Sequence, residues 1–350
     1  YFFRVYKKTS GNGQVSGSGL YNIIIIKLFL SFADGVLKVD PTDLNGRKVF
    51  VYLACAFRYG SEDLDVIGLS FRRDIWIQRV QVYPPTGESV ARTPMQESLM
   101  KKIGEQGCPF SFKMPANLPC SVSLQPGQND SGKACGVDFE VKGYISDVAN
   151  SADEIDKKDT CRLMIRKIQF APANNKPGPK ADIAKQFMMS DKPVNLEVSL
   201  EKEVYYHGDP ITVNVKINNE TTKVVKKILI SGEQQGKDDR LAEVKFLKNG
   251  VCTINGNSTF EKSYQITPLL ANNKEKRGLS VDGRLKDEDT HLASTTLSQG
   301  DKEMQGILIS YKVKVNLMMS GGGDVTVELP VTLMSPKPAG ECSLFAYNCH

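Results

Sequence analysis

Val194-Asn195-Leu196-Glu197-Val198-Ser199-Leu200 and Ile211-Thr212-Val213-Asn214-Val215-Lys216-Ile217 place an apolar residue at every second position and a polar one between. Side chains on a strand alternate between two faces, so each run buries one face and wets the other, as half-buried antiparallel strands require. Outward from these runs the pattern recurs. Residues 307–319 put Ile309, Tyr311, Val313, Val315 and Leu317 on one side, and Val325, Val327 and Leu329 make a shorter run. In the first half, residues 49–57 and 137–145 alternate in the same way. Turn residues separate them: Gly-Asn-Gly at 11–13, Pro84-Pro85, Pro126-Gly127 and Gly321-Gly322-Gly323. Many short strands between turns predict an all-β protein built as two antiparallel β-sandwich domains.

One segment departs from the two-residue period. Thr93-Pro94-Met95-Gln96 offers a hydroxyl cap, proline at the first helical position and glutamine three residues after the cap, a capping box. Met95, Leu99 and Ile103 then fall four apart on one face and Gly104 ends the run, so one short amphipathic helix is predicted in the first domain, packing through those three residues. Lys101 and Lys102 lie in its last turn. There they suit the helix dipole or contact an anion, two readings the spacing leaves open.

A chain of 350 residues exceeds what one core sustains, which favours two domains. Residues 172–193 carry four prolines and little alternation. The division read from this is an N-terminal sandwich over 1–171, a linker over 172–193, a C-terminal sandwich over 194–340 and a tail remnant over 341–350.

Composition excludes several classes. A net charge of +5 without a basic stripe argues against a nucleic-acid binder. The eight cysteines are dispersed without a C-x-x-C pair, and His207, His291 and His350 are the only histidines, so no metal site is expected and free thiols in a reducing compartment are. Asn129, Asn219 and Asn257 head glycosylation triplets, but no secretory leader accompanies them. The apolar run 20–32 is interrupted by Asn22, Lys27 and Ser31 and is too short to span a bilayer, which leaves buried strands and a cytoplasmic protein without a transmembrane segment. No nucleophile elbow, P-loop or dinucleotide fingerprint occurs, and His207 reads as a strand-to-turn residue, so neither enzyme nor cofactor is expected.

Two features remain. Residues 277–294 crowd Asp282, Asp287, Glu288 and Asp289 beside Arg277, Arg284 and Lys286 with no strand or helix period. Arg166 follows Leu163-Met164-Ile165 and precedes Ile168 after Lys167, which places it in an apolar run; a buried arginine must find carboxylates.

These stretches resemble the arrestin family. The resemblance rests on Val5-Tyr-Lys-Lys, on Cys55-Ala-Phe-Arg-Tyr-Gly-Ser-Glu-Asp-Leu-Asp-Val-Ile-Gly-Leu-Ser-Phe-Arg-Arg-Asp, on Leu118-Pro-Cys-Ser-Val-Ser-Leu-Gln-Pro-Gly, on Gly132-Lys-Ala-Cys-Gly-Val-Asp-Phe-Glu-Val-Lys, on Met189-Ser-Asp-Lys-Pro, on Tyr205-Tyr-His-Gly-Asp-Pro-Ile and on the charged stretch 277–294. Within the family the chain looks most similar to visual arrestins, and Val315-Asn-Leu-Met with Ile217-Asn-Asn-Glu leans to the cone type over the rod type. The resemblance implies binding to a light-activated, phosphorylated opsin, a G-protein-coupled receptor, and a block on G-protein coupling, in the photoreceptor outer segment. Its alternative is a non-visual β-arrestin-type adaptor for receptor desensitisation and trafficking. By motif, Lys7, Lys8, Lys102 and Lys286 would contact receptor phosphates, and Arg166 would form a phosphate-sensing polar core with Asp282 and Asp289. Residues 60–68 resemble the finger loop, with Glu62, Asp63, Leu64, Asp65, Val66 and Ile67 entering the receptor, and residues 125–133 the middle loop. Contact with the membrane would be peripheral, through the receptor, and self-association is compatible with the family.

The departures lie in residues 11–32, 232–256 and 341–350, which lose the family pattern. The Lys-Arg-Asp motif expected near Leu20 and an acidic, arginine-bearing tail are not found there. The expectation is a weak resting restraint, with no clathrin or adaptor binding carried over.

Overall fold

Strand follows strand because apolar positions recur every second residue, and a computed structural model shows which strands meet. It describes residues 2–5, 20–29, 32–59, 71–87, 91–115, 117–125, 135–147, 160–171, 176–188, 190–235, 241–250, 253–276, 278–282, 291–297 and 307–336. The chain forms two units. The first holds Tyr1–Ile168 together with Val281–Thr290 and Leu297–Ile307; the second holds Gln169–Ser280, His291–Thr296 and Leu308–His350.

In the first unit, β1 (Phe2–Val5), β9 (Thr160–Ile168), β8 (Cys135–Ser146), β4 (Lys48–Tyr59) and β5 (Phe71–Tyr83) lie side by side in that order, and β7 (Val122–Leu124) and β17 (Ser280–Asp282) extend the sheet beyond β8. A second sheet is made of β2 (Leu20–Phe29), β3 (Phe32–Val39) and β6 (Gly107–Lys113). Val49, Val51, Leu53 and Cys55 of β4, with Val137, Phe139 and Val141 of β8, share one core with Leu37, Phe110 and Phe112 of the small sheet. Their alternation is that of a sandwich interior. The apolar run after residue 20 is thus β2, paired antiparallel to β3 from Ile24↔Leu37 to Phe29↔Phe32.

Helix α1 (Pro94–Ile103) lies on the small sheet, against β3 and β6. Its capping box is formed: Thr93 Oγ1 accepts from Gln96 N at 3.3 Å, and Gln96 Oε1 accepts from Thr93 N at 3.0 Å. Leu99 is buried and Met95 and Ile103 are half-buried. Gln96 adds a second role, because its Nε2 donates to the Phe110 carbonyl at 2.9 Å and so pins the helix to β6.

The second unit pairs β10 (Lys180–Lys185), β11 (Val194–Leu200), β13 (Ile211–Asn219) and β16 (Ser258–Ile266) in one sheet. The other holds β12 (Val204–Tyr206), β19 (Val325–Met334), β18 (Ser310–Met319), β14 (Val225–Gln235) and β15 (Leu241–Gly250). β11 and β13 show the strict alternation their sequence predicts. Two points differ from the sequence reading. Residues 172–193 contain a strand, β10, because their prolines flank Lys180–Lys185 without interrupting it. One pair, β12 with β19, runs parallel in an otherwise antiparallel set. Asn219, at the head of a glycosylation triplet, is fully buried, with its amide donating to the Lys223 and Asn255 carbonyls, so it serves packing.

Candidate functional site

β9 has two working faces. Leu163 and Ile165 point into the sandwich core, and Arg166 takes the opposite face at 4% exposure. β17 reaches the same sheet through β7, which pairs with β8 from Val122↔Val137 to Leu124↔Cys135. That approach requires Gly136, since a Cβ there would collide with the Val122 carbonyl oxygen. All three residues of β17 are buried, and Asp282 Oδ2 lies 3.7 Å from Arg166 Nη2. The two charges are adjacent in space and far apart in sequence. At that separation they form an ion pair that is looser than a hydrogen bond, in surroundings where each would be costly alone.

Ser280, at the start of β17, is held by hydrogen bonds from within the second unit. Ala293 N donates to the Ser280 carbonyl at 3.0 Å, Gln234 Nε2 donates to the same carbonyl at 2.9 Å, and Tyr311 Oη donates to the Ala293 carbonyl at 2.6 Å. His207, in the turn after β12, stacks on His291 with ring centres 5.4 Å apart and shares a hydrogen bond with Ser294 Oγ at 2.9 Å.

Two further groups escaped the sequence reading. Lys167, next to Arg166 in the chain, is buried and donates through Nζ to the Leu118 carbonyl; burial lowers its pKa, against an opposing influence from the Cys120 and Cys55 thiols. Glu140, in an alternating strand, is 3% exposed and takes Arg58 Nη2 at 2.6 Å, Tyr52 Oη at 2.7 Å and Arg72 Nη1 at 3.2 Å. Burial would lower the Arg72 pKa, but the Glu140 carboxylate, aided by Tyr52 and Asp74, holds it above the ordinary value. The signal was available: Phe50 and Tyr52 in β4 and Tyr144 in β8 put bulky apolar groups on the face that alternation assigned to water.

Of the residues singled out from sequence, Arg166 and Asp282 are brought together, and Lys102 is exposed in the last turn of α1. Lys7, Lys8, Lys286, Asp289 and the stretch from Glu62 to Ile67 lie outside the described residues. Among the described residues no cluster of His, Cys, Asp or Glu could hold a metal ion, and no helix is long and apolar enough to cross a membrane.

Comparison with known proteins covers both units. The family model for the N-terminal domain of arrestin (or S-antigen) matches residues 33–171, and that for its C-terminal domain matches residues 190–338. An Arrestin-C of Aquarana catesbeiana is 53% identical across 96% of this chain and 90% of its own length. The chain belongs to the arrestin family. An Arrestin-C of Sus scrofa is 50% identical, covering 97% of this chain and 91% of that arrestin; Arrestin red cell isoform 2 of Oncorhynchus mykiss is 49% identical, covering 96% and 84%. Arrestins are non-catalytic adaptors, in keeping with a chain read as no enzyme.

The narrower assignment to visual arrestins, cone type over rod type, is corrected. These relatives are named Arrestin-C and red cell arrestin, with no rod, cone or visual arrestin among those names, and the names give no support to a photoreceptor location. The residues behind it serve local structure: Val315 and Leu317 are core positions of β18, and Asn218 Nδ2 donates to Glu220 Oε1 at 2.8 Å in a turn.

Proposed function

We propose that this arrestin is a desensitisation adaptor of the general, non-visual kind, binding activated and phosphorylated G-protein-coupled receptors at their cytoplasmic side and blocking G-protein coupling. One observation carries the reading: Arg166 is buried against Asp282, a carboxylate delivered from far along the chain. A phosphate brings about two negative charges and three acceptor oxygens, which suit an arginine fork. Competing for Arg166, it would draw the guanidinium away from Asp282, and breaking such a buried pair costs about 3–5 kcal/mol. That is enough to shift an equilibrium in which this contact is either made or broken. In this reading Lys7, Lys8, Lys102 and Lys286 gather the receptor phosphates, Asp289 supplies a second carboxylate to Arg166, and the stretch from Glu62 to Ile67 senses the activated receptor cavity.

The test is a pull-down with purified receptor, inactive or active and phosphorylated or not, using one opsin and one non-opsin receptor, with Arg166→Glu alongside. Selective capture of active, phosphorylated receptor, relaxed by the charge reversal to the active unphosphorylated form, is expected. Capture confined to the opsin would overturn the general reading. Absence of capture in every state would overturn receptor binding altogether.

A further inference from the structure

Glu140 belongs to no part of the phosphate-sensing arrangement, yet it is the most heavily engaged carboxylate of the first unit's described ion pairs. β4 and β5 stay paired up to Tyr59↔Phe71, on either side of residues 60–70, and the pair before that sets Arg58 directly opposite Arg72. Like charges facing each other on neighbouring strands are destabilising. Here the penalty is sharpened by partial burial, with the two side chains only 19% and 30% exposed. Glu140 enters from β8, opposite Ala54, and spreads one carboxylate over both guanidinium groups: Oε2 on Arg58 and Oε1 on Arg72, with the Tyr52 hydroxyl donating to Oε1 as well. Asp74 takes the remaining edge of Arg72 through Nε at 3.0 Å and Nη2 at 2.9 Å.

We infer that Glu140 is a positioning residue: by neutralising the facing Arg58 and Arg72 it holds β4 and β5 paired to their ends, and so fixes the stem from which residues 60–70 meet the receptor. The stem follows from the geometry alone, and only the receptor consequence rests on the function proposed above. Glu140 acts through charge balance. Removing its charge exposes the repulsion, and removing one arginine as well abolishes it.

Hydrogen exchange of the full chain tests this with E140Q, R58Q and the R58Q/E140Q double variant, reading the amides of residues 57–59 and 71–73 against those of 163–165. E140Q should speed exchange at the stem by about tenfold, with the reference amides unchanged. The double variant should return to within about threefold of the parent chain. Unchanged exchange in E140Q, or a double variant exchanging as fast as E140Q, would overturn the inference, because packing lost with Glu140 cannot be rescued by deleting an arginine. If E140Q fails to fold, folding of the double variant supports charge balance, and its failure to fold counts against it. The same proteins are then offered active, phosphorylated receptor: weakened capture by E140Q, restored in the double variant, is expected. A stem that loosens and recovers as described, with capture unaltered throughout, would uphold Glu140 as the stem clamp and overturn its link to receptor engagement.

Discussion

Replacing Arg166 and Asp282 singly and together separates a buried working pair from an incidental contact. The charges lie 3.7 Å apart with side chains 5% and 9% exposed. At an effective dielectric constant near 20, two unit charges at that distance attract by about 4 kcal/mol. Asp282→Leu leaves the guanidinium without this carboxylate, and Arg166→Met leaves the carboxylate without the guanidinium. Each should cost about 3–5 kcal/mol, because the surviving charge stays in a poorly solvated site. The double replacement removes both and should recover most of that loss, giving a coupling of at least about 4 kcal/mol in the cycle. Thermal unfolding is the assay; for a unit of this size each kcal/mol moves the midpoint by about 2–4 °C. The single variants should therefore melt well below the parent and the double variant close to it. A coupling below about 0.5 kcal/mol, the range of exposed pairs, would refute the argument that burial makes this pair a stored restraint.

Lys167 should give the fold a pH dependence at the alkaline side. Its pKa is lowered by burial, so the unfolded chain binds more protons between that lowered value and the ordinary lysine value; stability rises with pH across the window, and Lys167→Met should flatten the rise in denaturant titrations at stepped pH. Gln96→Leu removes half of the capping box and leaves the Phe110 carbonyl short of a donor, which should cost about 1–3 kcal/mol, whereas exposed Glu97→Ala on the same helix should stay within about 0.5 kcal/mol. Thiol labelling under native conditions should be slow, because burial raises Cys108 and Cys120 to about 11 and raises Cys55 and Cys135 as well; fully buried Cys55 should label only as the unit unfolds, and its early labelling in a mass-spectrometric time course would contradict the packing.

The fold class was legible because strand periodicity is local. Val194 to Leu200 and Ile211 to Ile217 each carry their own buried face, and the Thr93 to Gln96 box carries its own helix start. Alternation misled where both faces of a strand are covered. Glu140 looked like a solvated residue until Phe50, Tyr52 and Tyr144 were seen to bury its side of the sheet. Proline-based punctuation misled in residues 172–193, where Lys180–Lys185 gains its strand from pairing with β11 and not from its own pattern.

The sequence by itself determined the alternating strands, the helix, the family and the need of Arg166 for a carboxylate, since each depends on residues close together in the chain. Tertiary structure decided which carboxylate stands there, that Lys167 is buried against Leu118, and that one glutamate serves two arginines on neighbouring strands. Those outcomes depend on sheet order and register, which bring residues 166 and 282 to one face although no local pattern relates them. Charge in a low-dielectric interior is priced by such neighbours, and neighbours of this kind are set only when the strands have closed.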